Sequence, residues 1–281
     1  MTDARPRGLC PPRLAAIARA FEANFAEDLE LGARFALAVD GEIVVDLIGG
    51  WADKARTRPF DEATLTPLFS TTKAIAALAI ARLVGEGRLT YERRVADLWP
   101  EFGAVGKASL TVEQALAHQA GLPGLHGPMV PADWFDWEGV CARLAAMAPL
   151  WAPGSASGYH PVTFGHLAGE IFRRVDGRTL GTALREDIAA PLGLDLWIGL
   201  PDAEHGRCAE LRRPPVAPDL GPITEAKRLA FLTKWAAPGG LGEAAWRRAE
   251  FPSVNGHATA PALALAMAAL AGDGAIGAAR V

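Results

Sequence analysis

Cysteine is scarce in this chain. Cys10, Cys141 and Cys208 are odd in number, widely separated and never at metal-ligand spacing, which speaks against a disulfide scaffold and favours a reducing compartment, by default the cytoplasm. Long apolar runs are missing too. No stretch reaches the roughly 18 to 20 apolar residues that a membrane-spanning helix needs, and Arg13, Arg19 and Glu22 interrupt what would otherwise be the apolar core of a signal segment. Charge of one sign is also lacking: 32 acidic and 28 basic residues leave a net charge of -4, without the concentrated positive charge that nucleic-acid binding requires. Six histidines are scattered without a His-Glu-x-x-His pattern, and no glycine-rich phosphate loop is present, so neither a metal nor a nucleotide cofactor is called for.

What the chain does have is apolar mass. Half of its 281 residues are hydrophobic and 21% are charged, the profile of a globular protein with a large core. Leu14, Ile17, Ala18, Phe21 and Phe25 recur at helical intervals, predicting an amphipathic helix over residues 12–27. Phe35 to Val39 and Ile43 to Leu47 flank Asp40-Gly41, a pair suited to a tight turn, and predict a hairpin over 34–49. A long helix is expected from Thr71 to Gly85, apolar all round from Ala74 to Ala81 and therefore buried on most faces. Ala96 to Pro100 reads as a short turn or cap. Thr111 reads as the N-cap of a short helix through Ala117, with Glu113 in its first turn. A loop rich in glycine and proline follows over 118–135. Further helical patterns cover 137–148, 163–175, 179–190, 224–235 and 259–271, and the proline-rich region 201–222 offers one candidate strand near Cys208 to Leu211.

The chemistry centres on Ser70-Thr71-Thr72-Lys73 at the start of the apolar helix. Three residues apart, Ser70 and Lys73 can share one helix face, and unpaired amides at a helix start favour negative charge on the serine. An ammonium among apolar residues is costly unless paired or deprotonated, which makes Lys73 a candidate base. The plainer alternative is a serine that caps a helix and a lysine that reaches solvent.

Context bears on that choice. The stretch Leu68-Phe69-Ser70-Thr71-Thr72-Lys73-Ala74, with Val95-Ala96-Asp97-Leu98-Trp99-Pro100-Glu101-Phe102 and Leu110 to Pro123 (LTVEQALAHQAGLP), resembles the serine beta-lactamase-like hydrolases, specifically the class C beta-lactamase and family VIII carboxylesterase branch. The resemblance covers roughly residues 15–275. It implies an α+β, beta-lactamase/transpeptidase-like fold: an antiparallel sheet flanked by helices, with a helical subdomain at about 90–235, all in a single catalytic domain over 1–281. The family's Tyr-x-Asn motif, preceded by Pro-Gly, matches Pro153-Gly154-Ser155-Ala156-Ser157-Gly158-Tyr159-His160-Pro161. By that resemblance Tyr159 shares a proton with Lys73, activates Ser70 and later protonates the leaving group. The alternative for Tyr159 is an ordinary half-buried aromatic.

Pro161 stands where beta-lactamases tend to carry asparagine and offers no side-chain amide, which favours an esterase. His118 and His160 read as structural or pocket-lining, since no Gly-x-Ser-x-Gly elbow surrounds Ser70. Asn255-Gly256-His257 resembles a family segment bordering the site and is given no catalytic role. Eight tryptophans offer either ordinary core mass or an apolar pocket beside the serine.

The family's third motif, Lys-Thr-Gly or a His/Trp-x-Gly variant, has no counterpart; Lys234 is followed by Trp235-Ala236. The sheet is accordingly expected to be incomplete at its carboxyl-terminal end. The second oxyanion donor is worth about 3 to 4 kcal/mol; the expectation is that the missing portion comes from self-association or a second chain, that the sequence is a fragment, or that the fold is modified and inactive. The leading expectation is a serine hydrolase of small carboxylic esters. Beta-lactam or peptide-amide hydrolysis, and a noncatalytic scaffold derived from the same fold, are the alternatives.

Overall fold

The computed structural model describes residues 5–212, 216, 219–272, 275–276 and 279–280. In chain order its elements are β1 (Arg7–Leu9), α1 (Ala15–Ala26), β2 (Gly32–Val39), β3 (Glu42–Gly50), β4 (Thr66–Pro67), α2 (Thr72–Gly85), α3 (Val95–Leu98), α4 (Val112–Leu116), α5 (Trp137–Ala146) and α6 (Thr163–Asp176). There follow α7 (Leu180–Ala183), β5 (Leu196–Trp197), α8 (Glu225–Lys227), α9 (Ala244–Arg248), β6 (His257–Ala258), α10 (Ala260–Ala271), β7 (Ala275–Ile276) and β8 (Ala279–Arg280). The chain forms two compact units, one from Met1–Pro67, Arg185–Val216 and His257–Val281, the other from Leu68–Leu184 and Ala217–Gly256.

In the first unit the expected hairpin is present. Asp40 and Gly41 both take positive φ, 51° and 78°, the backbone twist that lets a two-residue turn match paired strands. β2 and β3 pair antiparallel with Phe35 opposite Leu47 and Leu37 opposite Val45, and β1 adds to the far edge of β3, giving the order β1-β3-β2. Arg34 makes a two-pronged pair with Asp46 across the strands, at 2.8 and 2.7 Å. Alternation places Val45 and Leu47 on one face, where they meet Phe21 and Phe25 of α1. α10 packs on β2 and β3. A second small antiparallel sheet has the order β4-β6-β5. The expected strand near Cys208 is only one bridge to Leu65.

The second unit is helical. Its centre is α6, whose residues from Thr163 to Phe172 are all buried, and α2 and α4 pack against it. α2 buries Lys73, Ile75, Ala76, Leu78, Ala79, Ile80 and Leu83, as its uninterrupted apolar run requires. α4 starts with a reciprocal capping box: Thr111 Oγ1 accepts the Gln114 N–H, and Gln114 Oε1 accepts the Thr111 N–H. Two helical patterns change their hydrogen bonding partway along. After α7 the chain widens into a π-helix over Leu184–Ala189, all but its first residue belonging to the first unit, and after α8 into another over Arg228–Leu232 within the second. The second stops short of Trp235, whose ring lies against Gly127 and whose indole N–H donates to the Leu125 carbonyl at 2.7 Å. The expected helix over 224–235 is thus cut where one side chain finds a partner outside it.

α6 also carries a fully buried carboxylate. Glu170 accepts from the Trp137 indole at 2.9 Å, from Arg173 at 2.9 and 3.0 Å and from Arg174 at 2.7 Å. Burial pushes its carboxyl up, but these donors outweigh it and hold the group below the usual glutamate range. The stability it supplies is therefore present above the unfolded glutamate pKa and lost as pH falls through the lower folded value. Glu170→Gln should cost about 2 kcal/mol at pH 7, less than the loss of a fully buried pair because both arginines are part-exposed. Urea denaturation of the two proteins should show that gap shrinking as the pH is taken down through the carboxylate range.

Candidate active site

Ser70 lies on a single tight turn, Phe69–Thr71, that runs directly into α2. Phe69 just before it holds φ at 46°, a conformation that costs a bulky residue about 1–3 kcal/mol and persists only where the surroundings enforce it. Those surroundings are visible. The Leu68 N–H donates to the Gly256 carbonyl at 2.7 Å, and the Gly256 N–H donates back to Thr72 Oγ1 at 2.9 Å. Ser70 is exposed, while Lys73, one turn on, is only 8% exposed.

Lys73 Nζ stands 3.3 Å from Ser70 Oγ, 2.8 Å from the Pro161 carbonyl and 2.9 Å from the Ser253 carbonyl. Its cation also lies over the Tyr159 ring, 4.8 Å from the centroid. Desolvation lowers its pKa to about 8, so that roughly one lysine in ten is neutral at pH 7. Burial by itself does not single Lys73 out. Lys107 is fully buried on three carbonyls, those of Ala104, Ala145 and Met147, and desolvation lowers its pKa as well. Lys73 differs in that one of its hydrogen-bond partners is an exposed hydroxyl, where Lys107 bonds to main-chain carbonyls and lies over the Phe102 ring, 5.2 Å from its centroid.

The Tyr159 hydroxyl reaches the same oxygen, 2.6 Å from Ser70 Oγ. Both neighbours of Tyr159 in the chain are held by His118. The Gly158 N–H donates to the His118 carbonyl at 3.1 Å and the His160 N–H to His118 Nδ1 at 3.2 Å. His118 meets this demand with φ at 62° and its ring edge-on to Tyr159, 4.9 Å between centroids. Gly158 is required by close approach, since a Cβ there would stand 2.6 Å from the Trp151 ring. His160 donates from Nδ1 to the Gly158 carbonyl at 2.5 Å and accepts the Leu122 N–H at Nε2. Burial, reinforced by the nearby Lys73 cation, lowers the pKa values of His118 and His160 to about 4 and about 3. Both rings are neutral at physiological pH.

The three predicted site residues, Ser70, Lys73 and Tyr159, therefore meet at one oxygen atom. Sequence reasoning missed the carbonyls of Pro161 and Ser253, because a main-chain oxygen has no letter of its own. It also gave Asn255-Gly256 no part in the chemistry, yet these residues build the frame. The Asn255 side chain donates to the Trp246 and Ala249 carbonyls at 2.7 and 2.6 Å and accepts the Phe251 N–H at 2.9 Å. That folds the turn that carries Ser253. Of the tryptophans, Trp151 stands beside the Tyr159 turn, whereas the ring stacked on Tyr159 is Phe231, 6.3 Å away. Among the described residues no group of three His, Cys, Asp or Glu is placed to hold a metal ion, and no helix is long and apolar enough to cross a membrane. The terminal stretch from Gly274 to Val281, where no third motif is read, lies partly outside the described residues, as does part of 201–222.

Gly256 offers a test of this frame. A methyl group there would stand 2.9 Å from Thr72 Oγ1 and 3.1 Å from Thr72 Cγ2, so Gly256→Ala should cost about 1–3 kcal/mol by overpacking. A chemical denaturation curve of the variant should show it.

The family profile described as Beta-lactamase matches residues 21–280. The esterase/beta-lactamase LipL of Mycobacterium tuberculosis is 39% identical over 281 residues, a match covering 96% of this chain and 65% of that protein. This chain thus spans slightly less than two thirds of that relative's length. Among solved structures, a penicillin-binding protein homologue from Caulobacter crescentus is 63% identical with a TM-score of 0.96, over 99% of this chain and 74% of that one. A family VIII carboxylesterase is 43% identical with a TM-score of 0.89, over 98% and 74%.

Proposed function

This chain belongs to the beta-lactamase family and has its fold, and from that premise we propose that it hydrolyses small carboxylic esters through an acyl-enzyme on Ser70. The observation that carries the reading is the convergence of Lys73 Nζ and the Tyr159 hydroxyl on Ser70 Oγ, at 3.3 and 2.6 Å. In the neutral-lysine form, Lys73 takes the hydroxyl proton as Oγ bonds to the carbonyl carbon. The Ser70 backbone N–H faces the developing oxyanion as one donor. As the tetrahedral adduct collapses, the C–O bond to the alcohol breaks and Tyr159 protonates the departing oxygen, recovering its own proton from Lys73. A water molecule then adds to the acyl carbon by the same proton route, releasing the carboxylic acid and restoring Ser70.

Two features favour an ester over a lactam. Pro161 presents no amide to a lactam side chain, and the rim at Tyr159 is the apolar ring of Phe231. The mycobacterial relative's name joins esterase and beta-lactamase, which keeps beta-lactam hydrolysis as the second reading. Turnover of a cephalosporin faster than that of simple esters would reverse the order. Cys10, Cys141 and Cys208 are not joined in disulfides among the described residues, and a reducing, cytoplasmic setting remains part of the proposal.

With p-nitrophenyl butyrate, intact-mass measurement during turnover should trap a butyryl adduct on Ser70. Ser70→Ala should lose the adduct and at least about 10³-fold in kcat/KM; unchanged activity would support a noncatalytic scaffold. Because the base form of Lys73 grows as pH rises through its pKa of about 8, kcat/KM should climb with pH and level off above that point. Lys73→Arg, which stays charged, should lose about 10²–10⁴-fold. A flat profile from pH 6 to 9 would remove Lys73 from the role of base.

A further inference from the structure

A cavity of about 330 Å³ opens in the helical unit, and none of Ser70, Lys73 and Tyr159 lines it. Its volume falls at the low end of the range for small-ligand pockets, about 300–1,000 Å³. Four aromatic side chains form its walls: Trp134, Phe135, Trp137 and Phe251. Two of these rings are fixed against each other, Phe135 edge-on to Phe251 at 5.2 Å. Trp137 is locked from behind by its indole bond to Glu170 and its stack on His166 at 4.6 Å. The walls are therefore set before any ligand arrives.

The charged groups on the lining do not balance. Arg173 is bound by Glu170 at 2.9 and 3.0 Å and by Glu138 at 2.9 Å, so its charge is already met. Glu250 is not so placed. Its oxygens accept from the Thr179 hydroxyl at 2.7 Å and the Gly181 N–H at 2.8 Å, both neutral donors. Burial accordingly pushes its carboxyl above the usual glutamate range. A carboxylate with neutral partners, set among aromatic rings, suits a positively charged ligand with an apolar body, since each ring presents a negative face and the acid supplies the counter-charge.

We propose that this cavity is a second binding site, separate from the Ser70 centre, for a small organic cation: an ammonium carried on an aromatic or aliphatic body. The ammonium sits against Glu250 and the body among Trp134, Phe135, Trp137 and Phe251. This assignment does not rest on the esterase reading, because no catalytic group touches the cavity.

Isothermal titration of the full chain with benzyltrimethylammonium tests it, with phenylacetate as the anionic counterpart and benzyl alcohol as the neutral one. The cation should bind saturably at one site, and at least tenfold more tightly than either counterpart. Glu250→Gln and Phe135→Ala should each weaken it about tenfold or more, and Phe231→Ala, at the rim of the Ser70 centre, should leave it unchanged. Phe135 is partly exposed, so that variant carries the test should Glu250→Gln fail to fold. No saturation below about 10 mM, equal affinity for phenylacetate, or weakening by Phe231→Ala but not by Phe135→Ala would overturn the proposal.

Discussion

The helical unit is organised around a lysine that has nowhere else to put its charge. Lys73 is buried by its own apolar helix and is met by two main-chain carbonyls and one hydroxyl. A cation so placed is tolerable only while all three acceptors stay in reach, which ties three separate stretches of chain to a single point. The turn before α2 presents the hydroxyl, the Tyr159 to Pro161 segment one carbonyl, and the turn at Ser253 the other. Each stretch then needs its own support. Leu68 and Thr72 bond to Gly256, His118 holds the N–H groups of Gly158 and His160 on either side of Tyr159, and Asn255 closes the turn that carries Ser253. The backbone strain at Phe69 and His118 is concentrated where these demands meet.

The same unit shows how differently one side-chain type can be used. Lys107 and Lys73 are both buried and both shifted downward by desolvation. Lys107 joins the ends of two segments, bonds to three carbonyl oxygens and lies over the Phe102 ring, so it is a structural tie. Exchanging one carbonyl for a serine hydroxyl gives the lysine a partner with a proton of its own, as the proposed mechanism requires. Burial supplies the shift, and the third partner decides whether the shift can be used.

Much of this was legible in the sequence. Asp40-Gly41 specified the hairpin through its backbone preference, Thr111 the start of α4 through its capping oxygen, and the Ala74 to Ala81 run the burial of α2. Ser70, Lys73 and Tyr159, which meet at one oxygen, were legible because their side-chain types, spacing and context are distinctive. What escaped was of another kind. The carbonyls of Pro161 and Ser253 belong to the backbone, and the structural duty of Asn255 depends on a turn that closes only in three dimensions. The π-helices after α7 and α8 keep a helical pattern of apolar residues while changing the hydrogen bonding, a difference to which periodicity is blind.

The way Lys73 is anchored has an evolutionary consequence. Since Pro161 and Ser253 hold it through main-chain oxygens, the side chain at 161 can be exchanged without altering what the lysine meets, provided the backbone keeps its course. On the proposed reading of the site, proton handling and substrate preference are then separable traits. The first is inherited as a path of chain, while the second can drift residue by residue at the rim.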